Sequence, residues 1–287
     1  MRLNLTKLPS IKSNKLNLFA IIFIILVFFI SIFSSFVVQY PPDEQLFEGL
    51  TMQGAPLAPN KDFILGTDLL GRDLFSRIVY GSRTSLLIGL IANSISVIFG
   101  TILGLLAAYF GRITETIIMR FTDLMMAFPA LLLAIALAAI LKPSLWIVAL
   151  VIALVNWVQV CRVVYTQTKS LKEREFITAV KGYGASNLRI IFIHILPHIY
   201  PTMIVWGTLG ISTTVLLEAT LSFLGIGVQP PTPSWGGIIF ESQSYFVDAP
   251  WLVFFPGIMI ILLALSFNIL GDTLRDYFDP TQRGRSQ

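Results

Sequence analysis

The chain has 287 residues, of which 55% are hydrophobic and 13% charged, with a net charge of +4 and a mean hydropathy of +0.79. An average soluble domain carries about 25% charged residues. Half that supply cannot cover a globule, which excludes a soluble enzyme and a disordered chain, and a single cysteine, Cys161, excludes a disulfide-built fold.

The deficit is concentrated in charge-free runs near the ~20 residues that carry a helix across a bilayer. After a basic tail (1–17), Leu18–Val38 gives the first span. Its 21 residues exceed the roughly 7–15 of a signal-peptide core, so it reads as an uncleaved anchor. Residues 39–84 form an outer loop rich in Pro, Asp and Glu. The membrane core is expected over 85–271, with spans at Ser85–Ala108, Leu124–Leu141, Ser144–Cys161, Ile199–Leu217 and Trp251–Leu270. Lys142-Pro143 makes a tight turn between the third and fourth spans. Pro129 should kink the third span and Pro256 the outer end of the sixth. The run Ala219–Phe240 holds Pro230, Pro231, Pro233 and four glycines, so it reads as a structured loop, partly re-entrant against protein, because irregular backbone is not tolerated against lipid. Residues 272–287 form the second tail. The fold class is an all-α integral membrane protein with six transmembrane helices.

Six spans place both termini on one side. Fifteen Lys/Arg fall on the side that carries the termini, the 109–123 connection and the 162–198 loop, against five on the other. That asymmetry makes the termini and the 162–198 loop cytoplasmic. The chain has no G-x-x-x-x-G-K-[ST], no H-E-x-x-H, no G-x-S-x-G and no cysteine pair. It therefore has no catalytic residues to nominate, and any energy for work must come from another subunit.

The basic loop 162–198 is the most informative segment. Phe176, Ala179 and Val180 recur at i, i+3, i+4 and read as a short helix. Gly184 can stop it at φ > 0, Ser186 can cap a second helix, and Leu188, Ile191, Phe192 and Ile195 give that second helix an apolar face. The product is a helix–turn–helix just outside the membrane, serving either as an amphipathic hairpin on lipid headgroups or as a docking element for a cytoplasmic partner.

This segment resembles the EAA loop of ABC-transporter permeases: Ala179, Gly184, Leu196 and Pro197 fall at the pattern's spacing, with Thr178 in place of its Glu, Val180 in place of its second Ala and His194 in place of its Ile. Leu65-Gly66-Thr67-Asp68 through Gly71-Arg72-Asp73 and Arg77, then Glu218-Ala219-Thr220-Leu221-Ser222-Phe223-Leu224-Gly225 and Pro230-Pro231-Thr232-Pro233-Ser234-Trp235-Gly236, then Asn268 to Asp276 with Asp279-Pro280, extend the match from about residue 65 to 280. Together they resemble the second, C-type permease subunit of the dipeptide/oligopeptide/nickel importers. The resemblance implies a type I ABC importer fold with a coupling helix. It implies four kinds of partner: a homologous B-type permease, two ATPases, an extracytoplasmic substrate-binding protein and membrane lipid, with no nucleic acid. It implies no cofactor on this chain, ATP and Mg being bound by the ATPases. The location implied is the cytoplasmic membrane of a bacterium or archaeon. A nickel or metal-chelate cargo is the alternative to peptides, and a non-transport scaffold recruiting cytoplasmic proteins is the alternative of another class.

The residues expected to couple to the ATPases are Thr178, Ala179, Gly184, Ala185, Ser186, Leu196 and Pro197. The extracytoplasmic motif is Gly66, Thr67, Asp68, Gly71, Arg72, Asp73 and Arg77. Polar residues inside the spans, Asn156, Gln159, Ser212, Thr213 and Thr214, either bond between helices or line a pathway. Glu218 either has a structural hydrogen-bonding role or serves function as an ionisable group at membrane depth. Asp123 is expected to pair with Arg120 at i, i+3. His194 and His198 stand at metal-ligand spacing but at a membrane edge, where they read as interfacial residues.

Overall fold

A computed structural model of the chain describes residues 15–142 and 144–278; the outer parts of both tails, Asp279-Pro280 and Pro143 lie outside the described residues. The main elements are α1 (Lys15–Ile32), α2 (Ser34–Val37), α3 (Leu74–Phe110), α4 (Arg112–Ala127), α5 (Ala130–Ile140), α6 (Leu145–Lys172), α7 (Glu175–Gly182), α8 (Asn187–Arg189), α9 (Leu196–Phe223), α10 (Trp235–Ser242) and α11 (Trp251–Phe278). Among the described residues, five helices are individually long and apolar enough to cross a membrane, and α4 with α5 makes the sixth crossing if the bent pair is counted as one.

The spans outrun their apolar runs. α3 starts eleven residues before Ser85, because the Asp73 carboxylate accepts from the Ser76 amide and caps the helix there. Residues 74–84 are therefore helix and not loop. α3 ends at Gly111, φ +64, and Lys172 donates to the helix-end carbonyls of Ala108 and Tyr109 (3.3 and 2.7 Å). α6 continues to Lys172 and α11 to Phe278, well beyond Cys161 and Leu270. A helix satisfies its backbone equally in lipid and in water, so the loss of apolar character marks the bilayer edge and not the helix end.

The third span is divided rather than kinked. Phe128 is extended, as the residue before a proline tends to be, and α4 and α5 meet at 90°. Asp123 pairs with Arg162 of α6 instead of Arg120, while Glu115 takes Lys169 and Thr122 meets Cys161. α4 thus runs antiparallel along α6, and Ala134 and Ala138 of α5 join the core of Val148, Ala149 and Ile152. α11, by contrast, runs unbroken through Pro256.

α3 and α6 are parallel, with a constant offset of sixty residues: Gly100 packs on Val160 and Gly104 on Val164. A Cβ on either glycine would lie 2.6 Å from a carbonyl oxygen of α6. Helices in lipid have no hydrophobic drive to associate, so small residues that admit close backbone approach hold such pairs. α9 packs antiparallel between α3 and α11, with Ser212 of α9 accepting from Asn268 of α11 (3.0 Å). α1 covers α3 and α11 and leaves Leu18, Ile22, Ile25 and Phe29 exposed, a surface for lipid.

Candidate functional sites

The 162–198 segment folds as a hairpin with its second arm fused to a span. α7 is followed by Gly184 at φ +80, where the Ala185 amide reaches back to the Val180 carbonyl (3.3 Å) in a Schellman-like closure. The Ser186 hydroxyl caps the next turn by accepting from Arg189. The expected separate second helix does not exist. α8 passes through a π-helical turn, Ile190–Ile195, into α9, giving one 37-residue helix from Asn187 to Phe223. The wide turn absorbs Pro197, whose missing N–H leaves an ordinary α-turn incomplete.

The hairpin's apolar residues divide between two surfaces. Ile177, Ile190, Ile191 and Ile195 are buried, and Val180 packs with them against Leu105, Tyr109, Val164 and Leu171 at the ends of α3 and α6. Tyr109 also donates to Asn187 (2.8 Å). Phe176, Tyr183, Leu188 and Phe192 stay exposed, so the face predicted from Leu188, Ile191, Phe192 and Ile195 is split. Thr178, Ala179, Gly184, Ser186 and Pro197 are exposed, and Ala185 and Leu196 are half-buried. Phe176 stacks on His198, whose Nδ1 meets the His194 carbonyl (2.8 Å).

A chamber of about 260 Å³ lies between α3, the start of α5, α6 and α9, lined among others by Asn93, Ser96, Asn156, Gln159, Trp206 and Thr213. Of the polar residues singled out in the spans, Asn156, Gln159 and Thr213 meet here. Thr214 is buried behind the wall, accepting from Asn156 (3.3 Å), and Ser212 faces α11. Glu218 lies apart and buried, accepting from Ser85 (3.0 Å) and Ser222 (2.8 Å), a set that ties α9 to α3. Asn93, Ser96 and Trp206 escaped the reading of the sequence, although Asn93 is the one carboxamide in its span and was visible as such. A larger groove of about 580 Å³ beside the first turns of α11 is lined by apolar residues such as Pro59, Phe246, Trp251 and Phe254.

The extracytoplasmic motif is a folded cap on α3. Gly66 (φ +82) and Gly71 (φ +74) turn the chain, and a Cβ on either would lie 2.5 Å from a backbone oxygen. Thr67 accepts from Leu57 (2.8 Å) and donates to the Gly49 carbonyl (2.5 Å). Asp68 takes Arg72 (2.6 Å) and Arg77 (3.0 Å), and both arginines also reach Glu241 of α10 (2.5 and 3.0 Å). The Arg77 side chain is 2% exposed. Burial pushes the Glu241 carboxyl above the usual carboxylate range, the Arg72 guanidinium pulls it back, and Asp68 adds to the rise. The Trp235 indole donates to the Ile78 carbonyl (3.0 Å), and the run Ala219–Phe240 comprises the end of α9, a turn and most of α10, seated on α3.

Residues 100–284 match the family model described as the binding-protein-dependent transport system inner membrane component. The chain belongs to this family. It is 45% identical over 279 residues to the dipeptide transport system permease protein DppC of Alkalihalophilus pseudofirmus, covering 96% of this chain and 88% of that one. It is 43% identical over 270 residues to the DppC of Haemophilus influenzae (94% and 92%), and 37% identical over 259 residues to the glutathione transport system permease protein GsiD of Pectobacterium atrosepticum (90% and 85%). The fold resembles that of the inward-facing MetNI methionine ABC transporter, with a TM-score of 0.59 at 16% identity over 72% of this chain and 98% of that one. The chain is thus a multi-pass transport permease and not an enzyme.

Proposed function

We propose that this chain is one of two homologous permease subunits in an ATP-driven importer of di- or oligopeptides. Its partners are a B-type permease, two ATPases that bind ATP and Mg, and an extracytoplasmic binding protein. Both termini face the cytoplasm of a bacterium or archaeon. The observation that carries the reading is the hairpin around Gly184. Its inner side is built into the ends of α3, α6 and α9, while Tyr183 and Leu188 point away from the protein and Phe176, stacked on His198, stays partly open beside them. Aromatic and aliphatic side chains presented on a short helix suit a groove on a partner. Thr178, Ala179, Gly184, Ala185 and Ser186 form the contact, and Leu196 and Pro197 pass its movement to α9.

Nucleotide binding to the ATPases shifts the balance between two permease states because it has different affinity for each. Asn156, Gln159 and Thr213 line this subunit's part of the route, and Ser212, Thr214 and Glu218 hold the helices around it. The Asp68–Arg72–Arg77–Glu241 cluster keeps the outer surface rigid where a binding protein delivers cargo. The names of the relatives support a peptide cargo.

The test is uptake by the assembled transporter in proteoliposomes. ATP-dependent entry of a labelled dipeptide, competed by unlabelled peptide, is the expected result. Entry of nickel or a nickel chelate without peptide would move the cargo to metals, and ATPase binding with no flux of either would favour a scaffold.

A further inference from the structure

The geometry points to the chamber as a reader of the peptide main chain: Gln159, Asn156, Trp206 and Thr213 bind one peptide unit of the cargo in transit and leave its side chains unread. This rests on the import of peptides proposed above and assigns the chemistry of the route.

Hydrogen-bonding capacity left unused among the described residues sets the pattern. The Gln159 carboxamide has no protein partner, so it offers a donor and an acceptor. Asn156 gives one Nδ2 hydrogen to Thr214, which leaves its second N–H to donate and its Oδ1 to accept. Thr213 gives its hydroxyl hydrogen to the Gly210 carbonyl, which leaves its oxygen to accept as well. The Trp206 indole adds a second donor. A peptide unit presents one N–H and one C=O, and this wall holds acceptors for the first and donors for the second.

What the wall lacks is equally specific. No charged side chain and no His or Cys is among the residues that line the chamber. A divalent cation needs anionic oxygens, imidazole or thiolate to replace its water, and a charged side chain of the cargo would find no counter-ion. At about 260 Å³ the chamber is smaller than the ~300–1,000 Å³ pockets that enclose a drug-sized ligand. It takes a stretch of backbone, not a whole peptide. A site that bonds the main chain alone passes peptides of many sequences.

The test uses the complete transporter in proteoliposomes with its binding protein saturated, a labelled dipeptide, and the same dipeptide methylated on its peptide nitrogen. The unsubstituted transporter should move the parent about two- to tenfold faster, the span expected from one net hydrogen bond of about 0.5–1.5 kcal/mol. Asn156→Leu should slow the parent towards the rate of the methylated analogue and leave the analogue's own rate unchanged, while Gln159→Leu, which also removes a donor to the C=O that both peptides keep, should slow both and the parent more. ATPase stimulation by the loaded binding protein monitors assembly, and Thr213→Val replaces any variant that fails to assemble. Equal slowing of both peptides, or undiminished transport of the parent, would overturn the assignment alone. Absence of any peptide uptake by the unsubstituted transporter would overturn the peptide-import reading and this one with it.

Discussion

The Oδ1 atom of Asn93 lies against the Cα of Gly210 so closely that a Cβ at residue 210 would fall inside the oxygen's van der Waals shell. The same carboxamide donates through Nδ2 to the Gly207 carbonyl, one turn along α9. One buried amide therefore fixes the spacing of α3 and α9 beside the chamber, and it does so because residue 210 has no side chain.

Gly210→Ala should destabilise the protein by about 1–3 kcal/mol, the usual cost of overpacking, read as a lowered Tm in detergent. Adding Asn93→Ala should recover part of the loss, since two residues in contact do not act additively. A double variant no more stable than Gly210→Ala would show that the clash lies elsewhere.

Arg77→Ala should be among the most damaging changes on the outer side. It strips Asp68 and Glu241 of a guanidinium that is almost wholly enclosed, and an uncompensated buried charge costs about 3–5 kcal/mol. Folded yield after detergent extraction is the measurement. Arg77→Met with Glu241→Met leaves Asp68 paired with Arg72 and should be far milder than Arg77→Ala.

Gly184→Val should leave insertion and folding intact and abolish uptake. No atom lies within 4 Å of the position a Cβ would take, so the penalty comes from φ +80 and not from crowding; a β-branched residue held there costs on the order of 1–3 kcal/mol. Gly184→Asn, which tolerates the left-handed region, should retain part of the activity. The two are compared by ATP-dependent uptake at equal membrane content. Normal uptake by Gly184→Val would remove the turn from the coupling path.

Gly100→Val should separate α3 from α6. The new side chain would meet the Trp157 carbonyl at 2.6 Å and the Val160 side chain at 2.8 Å, both of them fixed atoms. Lost folded protein by size-exclusion chromatography is the expected result. The same change at Gly207, with nothing within 4 Å, should be tolerated far better.

The apolar runs made the spans legible, and the capping logic of Gly184 and Ser186 made the turn of the hairpin legible, because both depend on local chemistry. Phasing was not. Ser212, Thr213 and Thr214 are consecutive on a helix and so point about 100° apart; which one faces the chamber depends on Asn268 taking Ser212 and Asn156 taking Thr214 from helices distant in sequence. The ion pair of Asp123 went to Arg162 for the same reason. Pro129 signalled a disturbance, but its size of 90° follows from how α4 and α5 each pack on α6. Asp68 and Arg77 were visible as a motif, whereas their partner Glu241 lies 164 residues beyond Arg77.

The helix from Asn187 to Phe223 is continuous from its Ser186 end to the buried carboxylate of Glu218. At 1.5 Å per residue its 37 residues make a rod about 55 Å long. A sideways push on Ser186 would reach the far end as tilt about the point where the rod is gripped, and Asn93 grips it near the middle. In the coupling proposed above the two ends would swing in opposite directions, so that closing one side of the route would open the other with no signal passed between them. The hydrogen-bond ladder of such a rod is weakened at the wide turn Ile190–Ile195 and at Pro201, and both lie on the Ser186 side of the Asn93 grip.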